Sequence, residues 1–115
     1  MRCEVELDIF SGMPNPTWTL TDAEAATFTN VISTLPPASG TELSGSLGYR
    51  GMIIECSLDG AAQTIHIQAG IVQIASGTTK AYAYDVDRKL ERWLRDTARP
   101  HLNGDLLELI DRELR

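Results

Sequence analysis

The sequence predicts an α+β domain: a small, mainly antiparallel sheet in β-α-β-β(-β)-α-α order, with helices on one face. Three observations carry this. Residues 2–9 alternate apolar and polar. Three later stretches space their apolar residues as helices do, behind residues suited to capping. Asp59-Gly60 separates two strand-like runs by the two residues a tight hairpin wants. At 115 residues the chain has the length of one domain, spanning 1–115.

The first strand covers residues 2–10, with Cys3, Val5, Leu7 and Ile9 on one face and Arg2, Glu4, Glu6 and Asp8 on the other. That period of two marks a half-buried strand. A loop, FSGMPNPTW, follows. Thr21 and Glu24 then form a capping box, which satisfies backbone donors at a helix start. Phe28, Val31, Ile32 and Leu35 continue at helical spacing, and Pro36-Pro37 stops the helix. Residues 36–48 are a long Gly/Ser-rich connection. Gly51 to Leu58 reads as a strand turning at Asp59-Gly60, which sets Ile54 opposite Ile65 and Met52 opposite Ile67. The returning run, Gln63 to Ile74, holds Gly70, the mark of a bulge or of a break into two strands. Ser76-Gly77-Thr78-Thr79 is a turn. Asp85 caps a second helix with Val86, Leu90, Trp93, Leu94 and Thr97 on one face, ended by Pro100. Asn103-Gly104 turn the chain into a last helix carrying Leu106, Leu107, Ile110 and Leu114.

The net charge of −6 disfavours nonspecific nucleic-acid binding, which needs a cationic surface. Arg2, Arg50 and Lys80 are the only bases before residue 85. No apolar run approaches a membrane span. Acidic residues interrupt the N-terminus at once, unlike a signal peptide, so the expected compartment is the cytoplasm. Cys3 and Cys56 lack metal-ligand spacing, and both fall on core faces. Two buried thiols are expected there, with a cross-strand disulfide as the other reading. No dinucleotide fingerprint, HExxH, nucleophile elbow or EF-hand loop is present, so neither cofactor nor metal is expected.

Four features are candidates for function. In the loop, Pro14 and Pro16 fix two φ angles, Gly12 allows unusual backbone geometry, and Asn15 can bond nearby backbone. Such a loop loses little entropy on binding. Trp18 is then either an exposed aromatic anchor or a plug at the end of the core. In LGYRG, Leu47 to Gly51, Arg50 either holds an anionic ligand or pairs with an acid such as Asp8 or Glu55. His66 lies on the polar sheet face, near the acids of the first strand: a general base in a pocket with Asp8 and Arg50, or a surface histidine. Arg88, Arg92, Arg95 and Arg99 form a stripe interleaved with acids. It reads as a solvated, ion-paired helix face, including a Glu91–Arg95 pair.

FSGMPNPTW, LGYRG and the late LERWL together resemble a group of short bacterial proteins carrying an SGxPNPxW sequence near the N-terminus. The likeness spans Phe10 to Leu94. It implies a common shape and carries no chemistry. It also implies that Ser11, Gly12, Pro14, Asn15, Pro16, Trp18, Tyr49 and Arg50 act as one unit at one end of the sheet.

The function expected from these features is a binding or interaction module that presents the preordered loop, with Tyr49 and Arg50 nearby, to a protein or small molecule. The binding residues are then Pro14, Asn15, Pro16, Trp18, Tyr49 and Arg50. The alternative is a small enzyme or pathway accessory with a polar pocket around His66, Asp8 and Arg50. The uncovered polar sheet face also suits a homodimer.

Overall fold

The sheet has six strands in the order β2-β1-β3-β4-β5-β6, each pair antiparallel. The computed structural model describes residues 2–10, 12, 14–39, 49–58 and 61–114. The strands are β1 (Arg2–Leu7), β2 (Thr17–Thr19), β3 (Met52–Leu58), β4 (Ala61–Gln68), β5 (Ile71–Ser76) and β6 (Thr79–Tyr84). The helices are α1 (Asp22–Ile32), α2 (Lys89–Ala98) and α3 (Gly104–Glu113). This is the expected α+β class, with three strands more than the minimal reading and two more than the reading with the optional strand.

Alternation builds the core. Cys3, Val5 and Leu7 of β1, Met52, Ile54 and Cys56 of β3, and Ile65 and Ile67 of β4 all point inward and are buried. They join Phe28 of α1, Leu90 and Leu94 of α2, and Ile110 and Leu114 of α3 in one continuous cluster. The β3–β4 register is the one the aliphatic pattern demands: Ile54 opposite Ile65, Met52 opposite Ile67. A one-residue slip would turn all of these side chains to solvent. The turn at residues 59–60 and the connection 40–48 lie outside the described residues.

The capping box at α1 forms as expected. Glu24 N donates to Thr21 Oγ1 at 3.1 Å, and Thr21 N to Glu24 Oε1 at 2.9 Å. Beyond the helix, Pro36–Ala38 run along β6: Tyr84 N donates to Pro36 O and Ala38 N to Tyr82 O. That segment covers part of an otherwise exposed strand edge.

The run Gln63–Ile74 is broken into β4 and β5. Ala69 and Gly70 both take positive φ, 51° and 86°, as a two-residue hairpin turn with the right twist requires. Asp85 caps α2 one turn away. Its carboxylate accepts from Leu90 N at 2.8 Å and Glu91 N at 3.0 Å, across a single 3₁₀ turn at Val86–Arg88. The helix therefore starts at Lys89. Val86 is 55% exposed rather than on the buried face that its spacing suggested.

Two further expectations are corrected. Cys3 and Cys56 are direct cross-strand partners and are joined as a disulfide, not held as two thiols. Glu91 does not pair with Arg95 on a solvated face. It is fully buried and pairs with Arg88, while Arg95 and Arg99 reach Asp96 and Asp111. Among the described residues no helix is long and apolar enough to cross a membrane.

Candidate functional site

The loop after β1 is held from within. Asn15 Oδ1 accepts from Ile9 N at 3.2 Å and Phe10 N at 2.7 Å, and its amide donates to Glu6 Oε2 at 2.7 Å. Leu7 N donates to Pro16 O at 2.9 Å, closing the turn. Asn15 thus does for this loop what a backbone ladder does for a hairpin. Pro14 is exposed and Pro16 half-buried on the rim. Ser11 lies outside the described residues.

Arg50 locks the same loop from the other side. Its Nη2 lies 2.9 Å from Asp8 Oδ1 and 3.0 Å from Phe10 O, and its Nε is 3.2 Å from Asp8 Oδ1. The backbones pair too: Arg50 N donates to Asp8 O and Asp8 N to Gly51 O. His66 Nε2 donates to Arg50 O at 2.9 Å, since a carbonyl can only accept. The fold therefore does bring Asp8, Arg50 and His66 together. The histidine's partner is a backbone carbonyl, however, not a carboxylate.

Tyr49 points the opposite way, as neighbours in an extended segment do. Its hydroxyl donates to Glu91 Oε2 beneath the sheet, and Arg88 Nε reaches Glu91 Oε1 at 2.9 Å. Burial, then the charge and hydrogen bond of Glu91, push the Tyr49 phenol well above its ordinary value. Gly51 completes the segment at φ +94°, where a Cβ would stand 2.1 Å from Ile67 O. Tyr49-Arg50-Gly51 is accordingly a clamp: Tyr49 grips α2, Arg50 grips the loop, and Gly51 lets the chain lie against β4.

Trp18 is the plug and not the exposed anchor. It is 4% exposed, and its indole N–H donates to Thr97 Oγ1 of α2 at 3.0 Å. Of the six residues proposed for binding, Trp18 and Tyr49 face the helices, Asn15 and Arg50 are spent on holding the loop, and Pro14 and Pro16 remain on the rim.

The helix-free face is the larger surface. Across it run Thr17, Glu6, Ile53, His66, Gln73 and Tyr82, one residue per strand. Beside that row lies Tyr84, 46% exposed, cross-strand from Ile71. Ile53 and Ile71 are half-buried, yet neither belongs to the core cluster or to the residues packed against it. Sequence periodicity missed Tyr82 and Tyr84, because β6 turns its large residues outward and its alanines inward. The available signal was the alternation Lys80-Ala81-Tyr82-Ala83-Tyr84 itself. The cleft of about 390 Å³ beside Glu4, Glu55 and Thr64 lies at the other end of the strands and includes none of the candidate residues.

Comparison with protein-family models, curated proteins and solved structures finds no match.

Proposed function

We propose that this protein is a noncatalytic interaction module whose contact surface is the helix-free sheet face, rimmed by the Pro14–Pro16 turn. One observation carries the reading. Ile53, Ile71, Tyr82 and Tyr84 share a face that none of the described helices covers, while the polar groups at its end are committed to one another. A rigid rim beside a mixed aromatic and aliphatic surface suits binding, where preorganisation lowers the entropic cost. The Cys3–Cys56 disulfide weighs against the cytoplasm, where such bonds are rare.

The test is site-specific photocrosslinking in the native host, with the probe at Tyr84, at Pro14 and, as control, at Glu108 on the exposed side of α3. Adducts of defined mass from the first two positions, absent from the third, are expected. Adducts from none, or from Glu108 alone, overturn the reading.

A second reading, a small enzyme with a pocket around His66, Asp8 and Arg50, has one observation in its favour: Arg50 ties the other two into one cluster. His66→Gln discriminates, because glutamine keeps a polar side chain on the face and a donor for Arg50 O but cannot serve as a base. On the first reading it keeps the adducts and the complementation of a gene deletion. On the second it abolishes complementation while the adducts persist.

A further inference from the structure

We infer that the occupant of the open face is a second copy of this chain, seated face to face about a twofold axis that runs parallel to the strands over the β4–β5 seam. The inference rests on the interaction-module reading and names its partner.

The open face is self-complementary, row by row. In one row across β3 to β6 stand Glu55, Thr64, Ala75 and Lys80. In the next stand Ile53, His66, Gln73 and Tyr82, and in the third Gln68, Ile71 and Tyr84. A twofold along the strands keeps each row in place and reverses its order, so β3 of one protomer meets β6 of its partner and β4 meets β5. Glu55 then meets Lys80, Thr64 meets Ala75, Ile53 meets Tyr82 and His66 meets Gln73, while the buried Gln68 takes no part. Each encounter joins opposite charges, two apolar groups, a donor and an acceptor, or groups that tolerate one another.

Tyr84, 46% exposed, falls over the residue before β3, the buried Gly51.

Charge is the strongest part of the argument. Among the described residues, Glu55 and Lys80 hold neither an ion pair nor a hydrogen bond from their side chains. They sit at opposite ends of one row, three strand spacings or roughly 14 Å apart, so they cannot pair within one chain. The twofold sets each opposite its counterpart on the partner, making two Glu55–Lys80 pairs. Glu4 and Glu6 on β1, and Asp8 just beyond it, fall outside the four overlapping strands and stay solvated or internally bonded. Aligned sheets cross at about 30° and stand ~10 Å apart. The rows therefore match best near the axis, and the corners are bridged by the long side chains placed there. Four strands by some six residues cover roughly 400 Å² per partner, below the ~800 Å² of a standard interface, so the dimer is reversible and salt-sensitive.

Sedimentation velocity of the full chain from about 5 to 500 µM tests this, a range that spans weak association. The average mass is expected to rise from monomer toward dimer. Glu55→Lys and Lys80→Glu are each expected to weaken association roughly tenfold by setting like charges opposite one another. An equimolar mixture of the two variants is expected to regain wild-type association, because both corner pairs are then attractive. A monomer throughout, or a dimer that neither variant weakens, overturns the inference. So does a mixture no better than the separate variants. The crosslinking experiment separates the two levels. A Tyr84 adduct of mass other than twice the chain overturns the self-association and leaves the interaction module standing, whereas no Tyr84 or Pro14 adduct removes the module reading itself.

Discussion

Gly51→Ala is expected to cost about 3.5–4.5 kcal/mol, and its magnitude can be assembled from parts. Gly51 has φ +94°, as Gly12 has +86° and Gly77 has +60°. An alanine in left-handed geometry costs roughly 1–2 kcal/mol at any of the three. At Gly12 and Gly77 a Cβ meets nothing within 4 Å, so the cost stops there. At Gly51 the Cβ would stand 2.1 Å from the Ile67 carbonyl oxygen, against an ordinary contact beginning at 3.4 Å. The start of β3 must then move from β4 by more than an ångström. That motion pulls on the bonds Asp8 N to Gly51 O, Arg50 N to Asp8 O and His66 to Arg50 O. Losing them costs about 1 kcal/mol each. Alanine also stiffens the unfolded chain by ~0.5 kcal/mol in the stabilising direction, but equally in all three variants. Urea unfolding followed by Trp18 and Trp93 fluorescence gives each difference from the midpoint at constant slope. If Gly51→Ala falls within about 1 kcal/mol of Gly12→Ala and Gly77→Ala, the clamp does not press on β4 as described.

Other perturbations probe the rest of the frame. Thr97→Val keeps the shape but leaves the buried Trp18 indole N–H without its acceptor, and should lower stability by about 1–3 kcal/mol in the same urea assay; no change would mean the indole has another partner. Reducing Cys3–Cys56, 53 residues apart in sequence, should cost about 4 kcal/mol by loop entropy. The double variant Cys3→Ala/Cys56→Ala should show no further response to reductant. Tyr49 sets an alkaline limit. Its folded-state value is raised, so its share of stability is complete below the unfolded phenol's value of about 10 and is lost as pH climbs past it. Tyr49→Phe should flatten that alkaline decline in thermal melts taken from neutral pH upward, and an unchanged profile would assign the decline to other groups.

Much of the fold is legible in the chain because strong periodicities agree with strong punctuation. The alternation of β1, the capping box at Thr21 and Glu24, and the aliphatic pairing of Ile54 with Ile65 each have one cheap physical solution, and the fold adopts it. What escapes has competing solutions. β2 is three residues long and exists because Trp18 must reach Thr97, a contact 79 positions away. β6 hides because its inward residues are alanines, too small to register as a buried face. Val86 fits the helical period, but Asp87 and Arg88 take positive φ and turn the chain before the helix begins. The capping carboxylate of Asp85 was readable, but the extra turn between cap and helix was not.

The packing of residues 49–51 against the loop after β1 was readable, and the direction of the side chains was not. Residues 49–51 and the loop after β1 do form one unit at one end of the sheet, but direction decides what such a unit can do. Tyr49 and Trp18 turn toward the helices and are used up in stability. Asn15 and Arg50 are used up in holding the loop. A proline-rich loop with a tryptophan looks like a binding element when its side chains are imagined outward. With these bonds in place it is a rigid end to the sheet that leaves only Pro14 and Pro16 on its rim. Surface available for recognition is then found where the polar and apolar groups have no internal employment: Tyr84, Ile53, Glu55 and Lys80 on the open face. Using Arg50 for chemistry at this end would cost its bonds to Asp8 and Phe10 O. Recognition on the open face requires nothing to move, and that difference in cost is why the sheet, rather than the loop, is where we propose a partner binds.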